Sequence, residues 1–154
     1  MTVFWGLTTV LTAALSAIAI VDMRSLRIPD LLSLPLIAVG IVAAVWLQRM
    51  PVHHHLIGAA AGFAVFAAIG SWYFARTGID GLGLGDAKLF AAAGAWLGWQ
   101  ALPMVLLIAA LCGLAFAVLT GARRRGAALA FGPWLALGFW SVWIWENAEL
   151  HIFV

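Results

Sequence analysis

Apolar residues run in long stretches along this chain, and the polar residues fall in short gaps between them. A helix that crosses a bilayer needs about 20 apolar residues to span a hydrocarbon core of about 30 Å. Residues 3–21, 31–47, 56–74, 102–119 and 129–145 each meet that requirement. A further run, 89–99, is too short alone. Fused to the next run it would reach from Leu89 to Thr120, about 48 Å at about 1.5 Å per residue and too long for one crossing. Gln100 and Pro103 mark a break there, because proline removes a backbone donor and ends or kinks a helix. The pattern predicts an all-α polytopic membrane protein of about six transmembrane helices, with residues 1–154 as a single domain.

Composition agrees. Hydrophobic residues make up 66% of the chain and charged residues 9%, against about 25% charged in soluble domains. Such a chain cannot cover itself with a wetted surface, so its first partner is the lipid bilayer. The isoelectric point is near 9.3 but the net charge is only +2. The basic residues flank apolar runs and form no patch with interleaved aromatics, so no nucleic-acid partner is expected. Cys112, the lone cysteine, leaves no thiolate metal site and reads as an apolar filler. The first 21 residues hold no Lys or Arg, which fits a retained helix rather than a cleaved signal peptide.

Charge placement sets the orientation. With six spans, Arg24, Arg27, Arg76, Lys88, Arg123, Arg124 and Arg125 share one side, and Arg49 stands alone on the other. The richer side is then cytoplasmic and both termini are periplasmic. Trp5, Trp46, Trp143 and Trp145 would lie near the outer interface, with Trp72 and Tyr73 near the inner one. Gly58 with Gly62, and Gly94 with Gly98, put small residues on one helix face and predict close helix packing.

A carboxylate near the bilayer interior is expensive and needs a reason. Asp22 follows the first run at its cytoplasmic end. Asp86 ends the stretch Gly81-Leu-Gly83-Leu-Gly85-Asp86, just before the short fourth run, which draws it about 9 Å below the membrane surface. The alternating glycines predict a kinked, non-helical strip beside a wet pocket. Two carboxylates that stand close cannot both ionise easily, so the pair holds one proton between them. The ionised member can draw a proton from water as the water attacks a peptide carbonyl, while the neutral member donates to the carbonyl oxygen. The bland alternative pairs Asp22 with Arg24 or Arg27, and Asp86 with Lys88, as surface ion pairs.

These residues resemble the type IV prepilin peptidases, membrane aspartyl proteases of the GxGD group. Asp22-Met-Arg-Ser-Leu-Arg-Ile-Pro29-Asp30 is similar to that family's first-aspartate segment. Gly78-Ile-Asp80-Gly-Leu-Gly83-Leu-Gly85-Asp86-Ala-Lys88 is similar to its second, and Phe131-Gly-Pro-Trp-Leu-Ala-Leu-Gly138 to the start of its last helix. The resemblance implies the GxGD fold, with Asp22 and Asp86 as the catalytic pair and no cofactor or metal. It implies supporting or substrate-binding positions at Asp80, Lys88, Gly83, Gly85, Arg24 and Pro29. Substrates would be prepilins or pseudopilins of pilus and secretion systems, cut behind a short basic leader at the cytoplasmic face of the inner membrane. Full-length members carry paired CxxC motifs linked to N-methylation of the new terminus. With one cysteine, this chain is expected to be a short form that cleaves without methylating. Asp30 stands where many members have Asn.

Other readings are weaker. The alternating glycines lack the preceding strand that a dinucleotide loop needs. His53, His54 and His55 sit on the outer side, away from the acids, and read as an interfacial loop rather than a metal site. A GxGD protease cutting within helices would place its acids deeper. A small transporter or assembly scaffold would use the acids for proton coupling instead, and would leave pilin processing untouched.

Overall fold

The computed structural model describes residues 2–47, 50–78, 83–121 and 130–152. Six α-helices account for nearly all of them: α1 (Thr2–Ser25), α2 (Asp30–Leu47), α3 (Val52–Thr77), α4 (Leu84–Leu97), α5 (Leu102–Thr120) and α6 (Gly132–Ile152). A short 3-10 turn, Trp99–Ala101, joins α4 to α5. No strand occurs among the described residues. The chain is an all-α polytopic membrane protein.

Four segments are long and apolar enough to cross a bilayer, namely Val3–Ser25, Asp30–Leu47, Val52–Thr77 and Trp99–Thr120. The other two helices differ from the six expected spans for separate reasons. At 14 residues α4 is too short, reaching about 21 Å. At 21 residues α6 is long enough, but Glu146 and Asn147 make its last turns polar.

The short helix is the core of the molecule. Leu89 to Leu97 in α4 are all buried, with no polar face between them. A helix that is apolar on every side belongs inside, and α4 is wrapped by α3, α2 and α6. Alanines and glycine at 91–95 let the neighbours come close. A Cβ on Gly58 of α3 would stand 2.5 Å from the Gly94 carbonyl oxygen, and one on Gly62 would stand 2.7 Å from that of Phe90. The two small-residue faces expected from the sequence therefore meet each other. Gly98 does two jobs: its backbone carbon would lie 2.9 Å from a Cβ on Gly58, and it turns the chain out of α4 at φ 84°, conformational space open chiefly to glycine. The break thus falls at Gly98, ahead of the expected Gln100 and Pro103. Pro103 sits in the first turn of α5, where its missing N–H costs nothing.

The tryptophans divide into two groups. Trp5, Trp46, Trp72 and Trp145 are exposed, as an interfacial belt requires. Trp143 is buried instead, and its indole N–H donates to Thr8 Oγ1 at 3.0 Å, tying α6 to α1. Trp140 makes the same kind of bond to Thr12 at 2.9 Å. Trp96 of α4 donates to the Leu36 carbonyl at 2.8 Å beneath Gly40, where any side chain on the glycine would strike the indole.

Candidate active site

The core face of α1 carries Leu11, Leu15, Ile18 and Asp22, spaced four, three and four residues apart and all buried. That spacing is the inward stripe of a helix, and here its last member is a carboxylate. The helix ends just beyond it. Leu26 adopts a left-handed conformation at φ 52° and donates its N–H to the Asp22 carbonyl at 2.8 Å. A branched-chain residue pays a strain there that glycine would not. Pro29 cannot extend α1, and its carbonyl accepts the N–H groups of Leu32 and Ser33 to start α2.

The Asp22 carboxylate faces the first turn of α6. Gly132 donates its backbone N–H to Asp22 Oδ2 at 3.0 Å. The first N–H groups of a helix have no partner within it, and the helix dipole makes that end favourable for an anion. Asp22 therefore satisfies one open donor of α6. The approach requires glycine, since a Cβ on Gly132 would lie 2.6 Å from Oδ2.

Asp86 lies in the first turn of α4 and is not ahead of the helix as its sequence neighbourhood suggested. Gly83 is the N-cap, with extended backbone at φ −71°. The Asp86 N–H donates to the Gly83 carbonyl at 3.1 Å, and Asp86 Oδ2 turns back toward Gly83, 3.8 Å from where a Cβ would stand, in the manner of a capping box. The spacing Gly83-Leu-Gly85-Asp86 thus starts a helix and needs no glycine-only dihedral at Gly83 or Gly85. The expected non-helical strip reaches no further than Gly83 among the described residues. Gly85 has a different job: a Cβ there would come within 2.8 Å of the Ile28 Cβ.

Ile28 links the two halves. It is 8% exposed and lies against Gly85 of α4, while its Cδ1 would be 3.1 Å from a Cβ on Gly132 of α6. The α1–α2 connection inserts this one side chain between the two helix starts. The result brings Asp86 within Coulombic range of Asp22. Each carboxylate is held at a helix N-terminus, Asp86 at its own and Asp22 at that of a distant helix.

The remaining expected positions sort as follows. Lys88 pairs with Asp30, Nζ to Oδ1 at 2.5 Å, and not with Asp86. Arg24 is exposed, and among the described residues neither it nor Arg27 pairs with Asp22. The surface-pair alternative is not realised. Asp80, Gly81 and Arg123–Arg125 lie outside the described residues. His53, His54 and His55 form the first turn of α3 and not a loop. His55 is buried with Nδ1 3.1 Å from the Ala95 carbonyl oxygen, and His54 Nδ1 accepts the Trp99 indole N–H at 3.1 Å. Both are structural. Two residues that sequence reasoning left without a role stand out here. Gly132 enters the sequence reading only within the Phe131–Gly138 resemblance, and Asp30 only as a departure from the Asn of many members.

A family model, that of the type IV leader peptidase family, matches residues 9–118. The chain belongs to the type IV leader peptidase family. Its match spans Asp22, Asp86, Asp30 and Lys88, and ends before Gly132. Among relatives, a prepilin leader peptidase/N-methyltransferase of Escherichia coli (strain K12) is 44% identical over 125 residues, covering 79% of this chain and 55% of the relative. The protein of the same name in Aeromonas salmonicida (strain A449) is 38% identical over 141 residues, 90% of this chain and 48% of its own length. That of Burkholderia pseudomallei (strain K96243) is 44% identical over 132 residues, 83% and 42% respectively. The chain spans about half the length of the curated relatives it matches. No solved structure gives a significant match.

Proposed function

We propose that this leader peptidase family member is an aspartic endopeptidase that removes leader peptides from prepilin-like proteins, with Asp22 and Asp86 as its catalytic pair. What supports the reading above all is that two carboxylates 64 positions apart in sequence (86 minus 22) lie at neighbouring helix starts in a membrane protein, with Ile28 packed against both Gly85 beside Asp86 and Gly132, which binds Asp22. One carboxylate draws a proton from water as the water attacks the scissile carbonyl, and the other donates its proton to the carbonyl oxygen. A pair that holds one proton between its members can fill the two roles either way round, so neither is assigned a fixed role.

The basic residues that flank the inner ends of the helices support a cytoplasmic active site in the inner membrane with periplasmic termini. Substrates are prepilins or pseudopilins, cut behind a short basic leader. Co-expression with a candidate prepilin tests the proposal on a gel. Wild type should trim the leader, while Asp22→Ala and Asp86→Ala should leave it in place. Trimming by either variant would refute the pair, and no trimming by wild type across several prepilins would refute the substrate class.

A further inference from the structure

The first turn of α4 is held from the α2 side at two points. Gly85 lies against Ile28, where the approach leaves no room for a Cβ. Three residues on, Lys88 Nζ meets Asp30 Oδ1 at 2.5 Å. Ile28 and Asp30 flank Pro29 at the entry to α2, so the two contacts follow one another like rungs. Asp86 lies between them in sequence. At about 100° per residue it projects from another side of the helix, within Coulombic range of Asp22.

Packing of Leu89 to Leu97 fixes the body of α4, but the contact at Gly85 has no side chain with which to resist a local twist of the first turn. The second contact, at Lys88 one turn along, opposes that twist. We infer that the Lys88–Asp30 ion pair fixes the setting of the first turn of α4 that carries Asp86 beside Asp22, which makes Asp30 a positioning residue. This rests on the catalytic reading above. The Asp30 side chain is 59% exposed, and exposed pairs contribute little to stability. The pair should therefore act on catalysis and hardly at all on folding.

The test uses the full chain with Asp30→Asn and Lys88→Met, singly and together, and Asp30→Glu as the conservative rescue. Each single change should lower kcat for leader cleavage about three- to tenfold with KM within about twofold. The double variant should be no worse than the worse single, and Asp30→Glu should recover most of the rate. Melting temperatures should stay within about 2 °C of wild type. Losses that multiply in the double variant, or that appear in KM alone, overturn the inference.

A second readout does not depend on cleavage. In a Cys112→Ala background carrying Asp22→Cys and Asp86→Cys, the rate of oxidative cross-linking between the two positions should change on adding Asp30→Asn. An unchanged rate overturns the positioning role whether or not a substrate is ever found. A changed rate with no cleavage by wild type counts against the catalytic reading alone.

Discussion

Gly132 places its backbone N–H on the carboxylate of Asp22, 110 positions away in the chain, at 3.0 Å. The bond joins the end of the first helix to the start of the last. It accounts for the residue type as well as the position. A Cβ on Gly132 would fall 2.6 Å from Oδ2, closer than real side chains approach. Pro133 follows without an N–H of its own, which the first turn of a helix tolerates.

Gly132→Ala should therefore displace the Asp22 carboxylate without unfolding the protein. A misplacement of about 1 Å at a reacting group costs about a hundredfold in rate. Leader cleavage should fall by about that factor, measured as kcat on a prepilin in detergent, while circular dichroism stays helical. Full activity in the alanine variant would mean that Asp22 does not need this anchor.

Much of the fold was legible in the chain because membrane helices announce themselves by length and apolarity. The ends of α2 and α5 match the apolar runs to within a residue, and α1 and α3 extend theirs by up to four residues at an end. The start of α4 was harder to see. Gly81-Leu-Gly83-Leu-Gly85-Asp86 reads as a kinked, non-helical strip, yet an acid in the first turn is a helix-start signal, and Asp86 three residues after the N-cap Gly83 fulfils it. Asp22 and Asp86 could be singled out because a carboxylate in an apolar sequence is costly. The contacts that support them could not. Gly132 meets Asp22 across 110 positions and Lys88 meets Asp30 across 58, and no local pattern encodes contacts between distant helices. Trp143 misled for a related reason: an amphipathic ring suits the membrane interface, but a buried threonine can satisfy its N–H equally well.

Asp22→Asn should separate chemistry from architecture. An asparagine oxygen can still accept the Gly132 N–H, so the α1–α6 connection stays. It cannot take up a proton from water. The variant should express and melt like wild type, within about 2 °C, and leave the prepilin leader uncut. Asp86→Asn should behave alike, since an asparagine keeps the size and polarity of the side chain in the first turn of α4. A variant that loses its fold as well as its activity would show that the carboxylate charge itself holds the helices together.

The contact between α3 and α4 predicts where stability is most sensitive. Gly58 and Gly94 face each other so closely that a side chain on either meets backbone and not a movable neighbour. Gly58→Leu or Gly94→Ala should force the helices apart and cost about 1–3 kcal/mol, as overpacking does in cores. For a chain of this size that is a fall of about 2–12 °C in melting temperature in detergent. Gly6, with nothing within 4 Å of where its Cβ would be, serves as the neutral control.

A final prediction isolates the far end of the α1–α6 contact from the site. Trp143 is 2% exposed and donates to Thr8, itself 8% exposed. Thr8→Val keeps the shape of the side chain while removing the acceptor. The buried indole N–H is then left without its partner, a loss of about 1–3 kcal/mol. Trp143 lies 11 residues beyond Gly132 on α6, about 16 Å along the axis, too far for the change to reach the carboxylates directly. Thr8→Val should therefore lower the melting temperature while leaving kcat for leader cleavage within about twofold of wild type. A large drop in kcat at full stability would show that the two ends of α6 are mechanically coupled, and that the outer bond helps to hold Gly132 against Asp22.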